Sequence, residues 1–172
     1  MKQFIYVFIL CLCSLPVFSQ KWECNVTTFL DPAFKGEIAV YENYSKEKIL
    51  GYLKNDESNE NIISFQIKKQ INDMIYVQAF DLYNTVNIAG WIQFNNYIGI
   101  YSRAYQGNLK LYKSPNIESD INCIIKEYDP EVYTVIGCCK DWLKVKRILH
   151  GKTYIGWMPP EMQCANPYST CS

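Results

Sequence analysis

The sequence predicts an all-β protein in which one small unit is used twice. Three observations predict it. Apolar residues alternate along the chain instead of recurring every three or four positions, which is the period of strands and not of helices. Turn-forming clusters interrupt these runs at short intervals, as in a barrel or a sandwich. Two passages, Ile75–Ile92 and Trp142–Met158, also follow the same course: an apolar alternating run, a polar turn, and a short run closing on Gly-Trp.

The chain of 172 residues opens on "MKQFIYVFILCLCSLPVFSQ". Lys2, the apolar stretch Phe4–Leu12, and the small residues Val17 and Ser19 make residues 1–19 a secretory signal, with cleavage before Gln20. Cys11 and Cys13 follow leucines, which argues against lipid anchoring. No other apolar run is long enough to span a bilayer, so no membrane span is expected in the mature chain. The remainder is about 150 residues, room for one medium domain or two small ones.

Strands are read at Glu37–Tyr41, Ile62–Ile67, Met74–Phe80, Leu109–Tyr112, Ile121–Tyr128, Val132–Gly137 and Trp142–Leu149. Turns separate them at Lys54–Asn61, Lys113–Asn116, Tyr128–Glu131, Cys139–Asp141 and His150–Thr153. Laid over each other, the halves match in order. "IAVY" at Ile38 falls on "LKLY" at Leu109, and "ILGYLK" at Ile49 on "INCIIK" at Ile121. "IISFQI" at Ile62 falls on "VYTVIG" at Val132, "MIYVQA" at Met74 on "WLKVKR" at Trp142, and "AGWIQ" at Ala89 on "IGWMP" at Ile155. Identity is low, but five matches in kept order make a duplicated unit the reading. It divides the chain into the signal (1–19), a first unit (20–96), a packed junction (97–108) and a second unit with a Cys-containing tail (109–172).

Charge is balanced at 17 basic and 17 acidic residues. That removes the field a nucleic-acid binder carries. Six cysteines remain after the signal: Cys24, Cys123, Cys138, Cys139, Cys164 and Cys171. An even set in an exported chain points to disulfides. Cys164 and Cys171 flank a Pro-containing turn and are expected to pair. Cys138 and Cys139 are adjacent and point to opposite faces of a strand, so at most one is expected to pair with Cys123, leaving Cys24 for what remains. There is no C-x-x-C pair and a single His150 in a turn, so neither a metal nor another cofactor is expected.

The second unit resembles the bacterial SH3-like (SH3b) family. "LKLYKSPN", "INCII", "VYTVIG", "WLKV" and "GWM" stand in that family's order, and "GWMPPEM" is similar to the end of ordinary SH3 domains. The first unit departs from it, with Met74 where the second has Trp142 and Gln93 where it has Pro159. The whole chain is similar to secreted tandem SH3-like proteins of Gram-negative bacteria, through Gly99–Tyr105, Leu109–Pro115 and the tail Gln163–Cys171. The resemblance implies two small barrels in tandem, a periplasmic or secreted location, and binding of a peptide, cell-wall (peptidoglycan-type) or protein ligand without catalysis.

No activated nucleophile, zinc motif or phosphate loop is found to set against that. Asp129 and Glu131 read as a solvated turn, and Lys144–Arg147 as a solvent face. Alternation puts Leu143 and Val145 in the core and Trp142 outside. In SH3-like barrels that place borders the peptide groove, so Trp142 is the expected wall, joined by Tyr112, Tyr154, Trp157 and Pro159. The competing reading packs Tyr154 and Trp157 into the junction or small core, and makes the chain a structural or inhibitory protein whose groove is filled by a partner protein or by its own junction. Asn25 and Asn43 fit a glycosylation sequon, a pattern of little meaning in a bacterial chain.

Overall fold

The computed structural model describes residues 21–56, 61–169 and 171. The expected signal segment lies outside the described residues, as does part of the Lys54–Asn61 turn.

The fold is all-β, with no α-helix among the described residues. The first set of strands is β1 (Lys21–Leu30), β2 (Ile38–Tyr41), β3 (Ile49–Leu53), β4 (Ser64–Ile71), β5 (Met74–Phe80) and β6 (Asn87–Gln93). The second is β7 (Ile98–Ser102), β8 (Leu109–Tyr112), β9 (Ile121–Ile125), β10 (Tyr133–Cys139), β11 (Trp142–Leu149) and β12 (Lys152–Met158). A 3-10 turn (Pro160–Met162) and β13 (Gln163–Cys164) follow.

All of these strands belong to one open antiparallel sheet. Its order is β3-β2-β6-β5-β4-β1-β7-β10-β11-β12-β8-β9, with β13 added to β7. This is not two sheets, each closed on itself. The order is a palindrome about the β1·β7 pair: each strand of the first set has its counterpart six strands later. The registers repeat as well. Between β4 and β5 a bulge separates Ile67↔Val77 from Lys69↔Tyr76, and between β10 and β11 one separates Val135↔Val145 from Gly137↔Lys144. β2 and β3 slip after Val40, and β8 and β9 slip after Leu111. A bulge is a local kink held by the side chains around it. Finding it at the same step in both halves ties four of the five matched stretches to matched structure; the fifth is displaced by two residues, since the registers set Ser64, not Ile62, on Val132.

The Gly-Trp endings now have a physical cause. Tyr41 pairs with Trp91, and Tyr112 with Trp157. At that crossing β2 lies so close to β6 that a Cβ on Gly90 would stand 2.5 Å from Val40 Cγ1 and 2.7 Å from Tyr41 O. A Cβ on Gly156 would stand 2.8 Å from Leu111 Cβ and 3.1 Å from Tyr112 O. Glycine is required there for close approach of two strands.

One continuous core runs through both halves. It includes Phe65, Ile67, Ile75 and Val77 from the first and Tyr133, Val135, Leu143 and Val145 from the second. The segment 97–108, expected as a packed junction, carries β7. Ile98 and Ile100 are fully buried, and β7 pairs with β1, β10 and β13.

Two disulfides are present among the described residues. Cys164–Cys171 closes the tail as expected, and Cys24–Cys138 joins residues 114 positions apart with Cα atoms 5.8 Å from each other. The expected bond from Cys123 to Cys138 or Cys139 is not formed, and Cys123 and Cys139 are free thiols. The bulge in β1 explains the pairing. β1 follows β4 as far as Glu23↔Lys69 and resumes at Val26↔Ile67. The step between them turns Cys24 toward the β10–β11 turn. There Lys140 N–H donates to Glu23 O at 2.7 Å and Asn25 N–H to Lys140 O at 2.8 Å.

Candidate functional site

Leu143 and Val145 are fully buried, while Trp142, one residue before, is partly exposed on the other face of β11. Its ring stands edge-on to Tyr112, with centroids 5.6 Å apart and planes at 89°. Tyr112 and Trp157 pair across β8 and β12 and form a small cluster with the buried Cys139, with Trp142 and Trp22 packed against it. Three of the five expected wall residues are therefore together: Tyr112, Trp142 and Trp157.

The other two are elsewhere. Tyr154 lies three residues from Trp157 on β12, an odd step that puts it on the opposite face. It packs against the main core instead, under Lys152 Nζ at 4.9 Å from its ring centroid. Pro159 is buried at the start of the 3-10 turn, its carbonyl accepting from Met162 N–H at 3.0 Å.

Sequence reading missed Trp22. It comes from β1, in the first half, and its ring centroid is 6.4 Å from that of Trp157. The contact sits beside the Cys24–Cys138 bond. Gln70 Oε1 also accepts from Cys138 N–H at 3.0 Å, and Asn25 Nδ2 donates to Asp141 Oδ1 at 3.3 Å. The aromatic face of the second unit is thus completed from the first. No local pattern signals it, because a single Trp in a polar strand reveals its partner only through the fold.

The first half has a counterpart. Trp91 is met edge-on by Tyr44 at 5.8 Å and by Tyr76 at 5.5 Å. Tyr44 is 56% exposed. Met74, at the place of Trp142, is buried, and Gln93, at the place of Pro159, accepts from Lys46 Nζ at 3.0 Å.

The Asp129 turn also departs from expectation. Asp129 is buried, not solvated, and holds Arg147 through two contacts, Oδ2 to Nε at 2.5 Å and Oδ1 to Nη2 at 3.2 Å. Charge-assisted, two-pronged pairing is what guanidinium and carboxylate geometry favours, and the side-chain hydrogen bond to Asp129 raises the Arg147 pKa. Arg147 is therefore not part of a free solvent face. By register, Asn61 takes the place of Asp129 in the first half, and its Nδ2 donates to the buried Asp81 at 2.8 Å. Both halves fasten the start of their fourth strand with a buried polar clasp.

Burial pushes the Cys123 and Cys139 thiols up. Cys123 Sγ–H donates to Ile155 O at 3.3 Å. Among the described residues no group of three or more His, Cys, Asp or Glu is placed to hold a metal ion. Compared with protein-family models, with curated proteins and with solved structures, the chain gives no match.

Proposed function

We propose that the chain is an exported, non-catalytic binding protein of two SH3-like units in tandem, periplasmic or secreted. Its second unit takes a peptide or peptidoglycan-type envelope ligand against the Trp142–Tyr112 face. The tandem reading is supported by the palindromic strand order and by the bulges that recur at the same step in both halves. The location is supported by two disulfides, which persist in oxidising compartments. No helix of the described residues is long and apolar enough to cross a membrane.

The observation that carries the binding reading is the geometry of Trp142. It is held upright by Tyr112 while its neighbours Leu143 and Val145 anchor the strand in the core. A rigid aromatic wall loses little rotamer freedom on contact, and extended chains are recognised by such slots. Trp142→Ala should weaken capture of peptidoglycan fragments by about 2 kcal/mol, the size of a central aromatic anchor. It should leave the melting temperature nearly unchanged. A large loss of melting temperature with no specific loss of binding would make Trp142 a packing residue and end the proposal.

A second reading is favoured by Trp22. The face is partly occupied by the chain's own first half, as in a structural or inhibitory protein whose groove is filled. Solute quenching of Trp fluorescence, with and without peptidoglycan fragments, separates the two. Protection of Trp142 on adding fragments supports binding. Unaltered quenching, with a Trp22→Ala variant that loses stability and captures nothing, supports the filled groove.

A further inference from the structure

On the core side of β12, away from the Trp142 face, a cavity of about 490 Å³ opens between the end of β9 and the β11–β12 turn. β12 pairs with β8 at Trp157↔Tyr112, while its first residues, from Lys152 onward, pair with β11 on their other edge. The sheet is thus unzipped here, and the gap is lined by side chains instead of a neighbouring strand. Ile125, Leu149 and Tyr154 form an apolar wall, with Ile125 buried and the other two half-buried. The size falls within the roughly 300–1,000 Å³ typical of small-ligand pockets.

The charges around it do not cancel. Asp129 contributes to the lining, but its carboxylate is committed to Arg147. That leaves Lys126 and Lys152 against Glu127, with the imidazole of His150 on the same rim. Lys152 is drawn over the Tyr154 ring, not onto a carboxylate. Lys126, Lys152 and His150 are all exposed.

The first half shows that the fold does not require this arrangement. By strand register Ile88 stands in the place of Tyr154, and Ala79 in that of Arg147. Val86 precedes β6 where Lys152 opens β12. The turn is also longer there, and Asp81 folds it back, accepting from Thr85 N–H at 2.7 Å and from Asn61 Nδ2 at 2.8 Å. In the second half the turn is His150–Gly151 alone, both at positive φ (49° and 76°). Such a two-residue turn adds nothing to close the gap.

We propose that this cavity binds a small amphipathic carboxylate, its apolar tail along Ile125, Leu149 and Tyr154 and its carboxylate between Lys126 and Lys152. The site is independent of the Trp142 face, so the two proposals stand or fall separately. The test is an amide-resolved NMR titration of the mature chain with octanoate, octanamide and inorganic phosphate. Octanoate should give saturable shifts confined to residues 124–129 and 149–154. Octanamide should bind about tenfold more weakly, and so should octanoate to the Lys126→Gln/Lys152→Gln variant, the effect of losing two exposed charge contacts. Trp142→Ala should leave the titration unchanged. Equal binding of octanoate and octanamide, equal shifts from phosphate alone, an unaffected lysine variant, or no saturable shift would each overturn the assignment.

Discussion

Removing the Cys24–Cys138 bond should cost the fold about twice what removing Cys164–Cys171 costs. A cross-link acts mainly by restricting the unfolded chain, and the restriction grows with the loop it closes. For a separation of 114 residues the chain-entropy model gives about 4.8 kcal/mol at room temperature. For a separation of 7 residues it gives about 2.4 kcal/mol. At roughly 2–4 °C per kcal/mol for a chain of this size, these become losses of about 10–19 °C and about 5–9 °C in melting temperature. The pairs to compare are Cys24→Ala/Cys138→Ala and Cys164→Ala/Cys171→Ala, followed by circular dichroism in heat and in urea. Both partners must go, because Cys139 lies next to Cys138 as a free thiol that could take up a single orphan. The long-loop variant should also show a larger urea m-value, since its unfolded chain expands further. Equal losses for the two variants, or an unchanged m-value in the first, would refute the argument that the bond works across the whole chain.

Gly90→Ala and Gly156→Ala should each destabilise by about 1–3 kcal/mol through overpacking. Gly90 should be the worse, because its added Cβ meets backbone at 2.7 Å. Gly51→Ala, which meets only the tip of Ile88 at 3.3 Å, should cost little on the same urea curves. Asp129→Ala strands Arg147 and should cost about 3–5 kcal/mol, whereas Asp129→Leu with Arg147→Met should recover most of it. Equal losses for the single and double variants would show that the pair does not act as a unit. Burial acts to raise the Asp81 pKa, but hydrogen bonds from Thr85, Asn61 and the Val86 backbone outweigh it and hold the carboxylate below its ordinary 3.8. A folded value below the unfolded one gives stability that is complete above the unfolded value and lost as pH falls through the folded one. Asp81→Asn should therefore flatten the acid limb of the melting curve below about pH 4, and an unaltered limb would remove Asp81 from the account.

What was legible in the sequence was whatever repeats locally. The alternation in "WLKV" placed Leu143 and Val145 inside and Trp142 outside, and the five ordered matches marked strands that pair alike. β7 was illegible as a strand because "IGIYS" offers only Ile98 and Ile100 as an apolar pair, while its other buried positions are Gly99 and Ser102, which carry no apolar signal. β1 hid for another reason: its bulge shifts the strand period midway, between Glu23 and Val26. Asp129 looked solvated because Pro130 and Glu131 mark a turn, while its partner Arg147 sits two strands away. The grouping of Tyr154 with Trp157 failed on a point already present in the sequence, the odd spacing between them. Trp22 and the Cys24–Cys138 bond depend on how one half lies against the other, which no stretch within either half encodes.

That mutual dependence makes one body of the two repeated halves. Each Gly-Trp ending solves the same local problem: glycine admits the crossing strand, and tryptophan covers the crossing with a tyrosine from it. Had the halves stayed independent, both aromatic clusters would face solvent alike. They do not, because β7 is paired to strands of both halves and β1 sends Cys24 across the seam. Separating the halves would expose β1 and β7 as bare sheet edges, a state proteins avoid. The seam also carries Trp22 to Trp157. The same contacts that hold the sheet together therefore make the two aromatic faces unequal. The first is left with an exposed Tyr44 and a buried Met74. The second keeps Trp142 upright on a base the first half helps to build. The asymmetry of the two faces follows from the way the halves are joined.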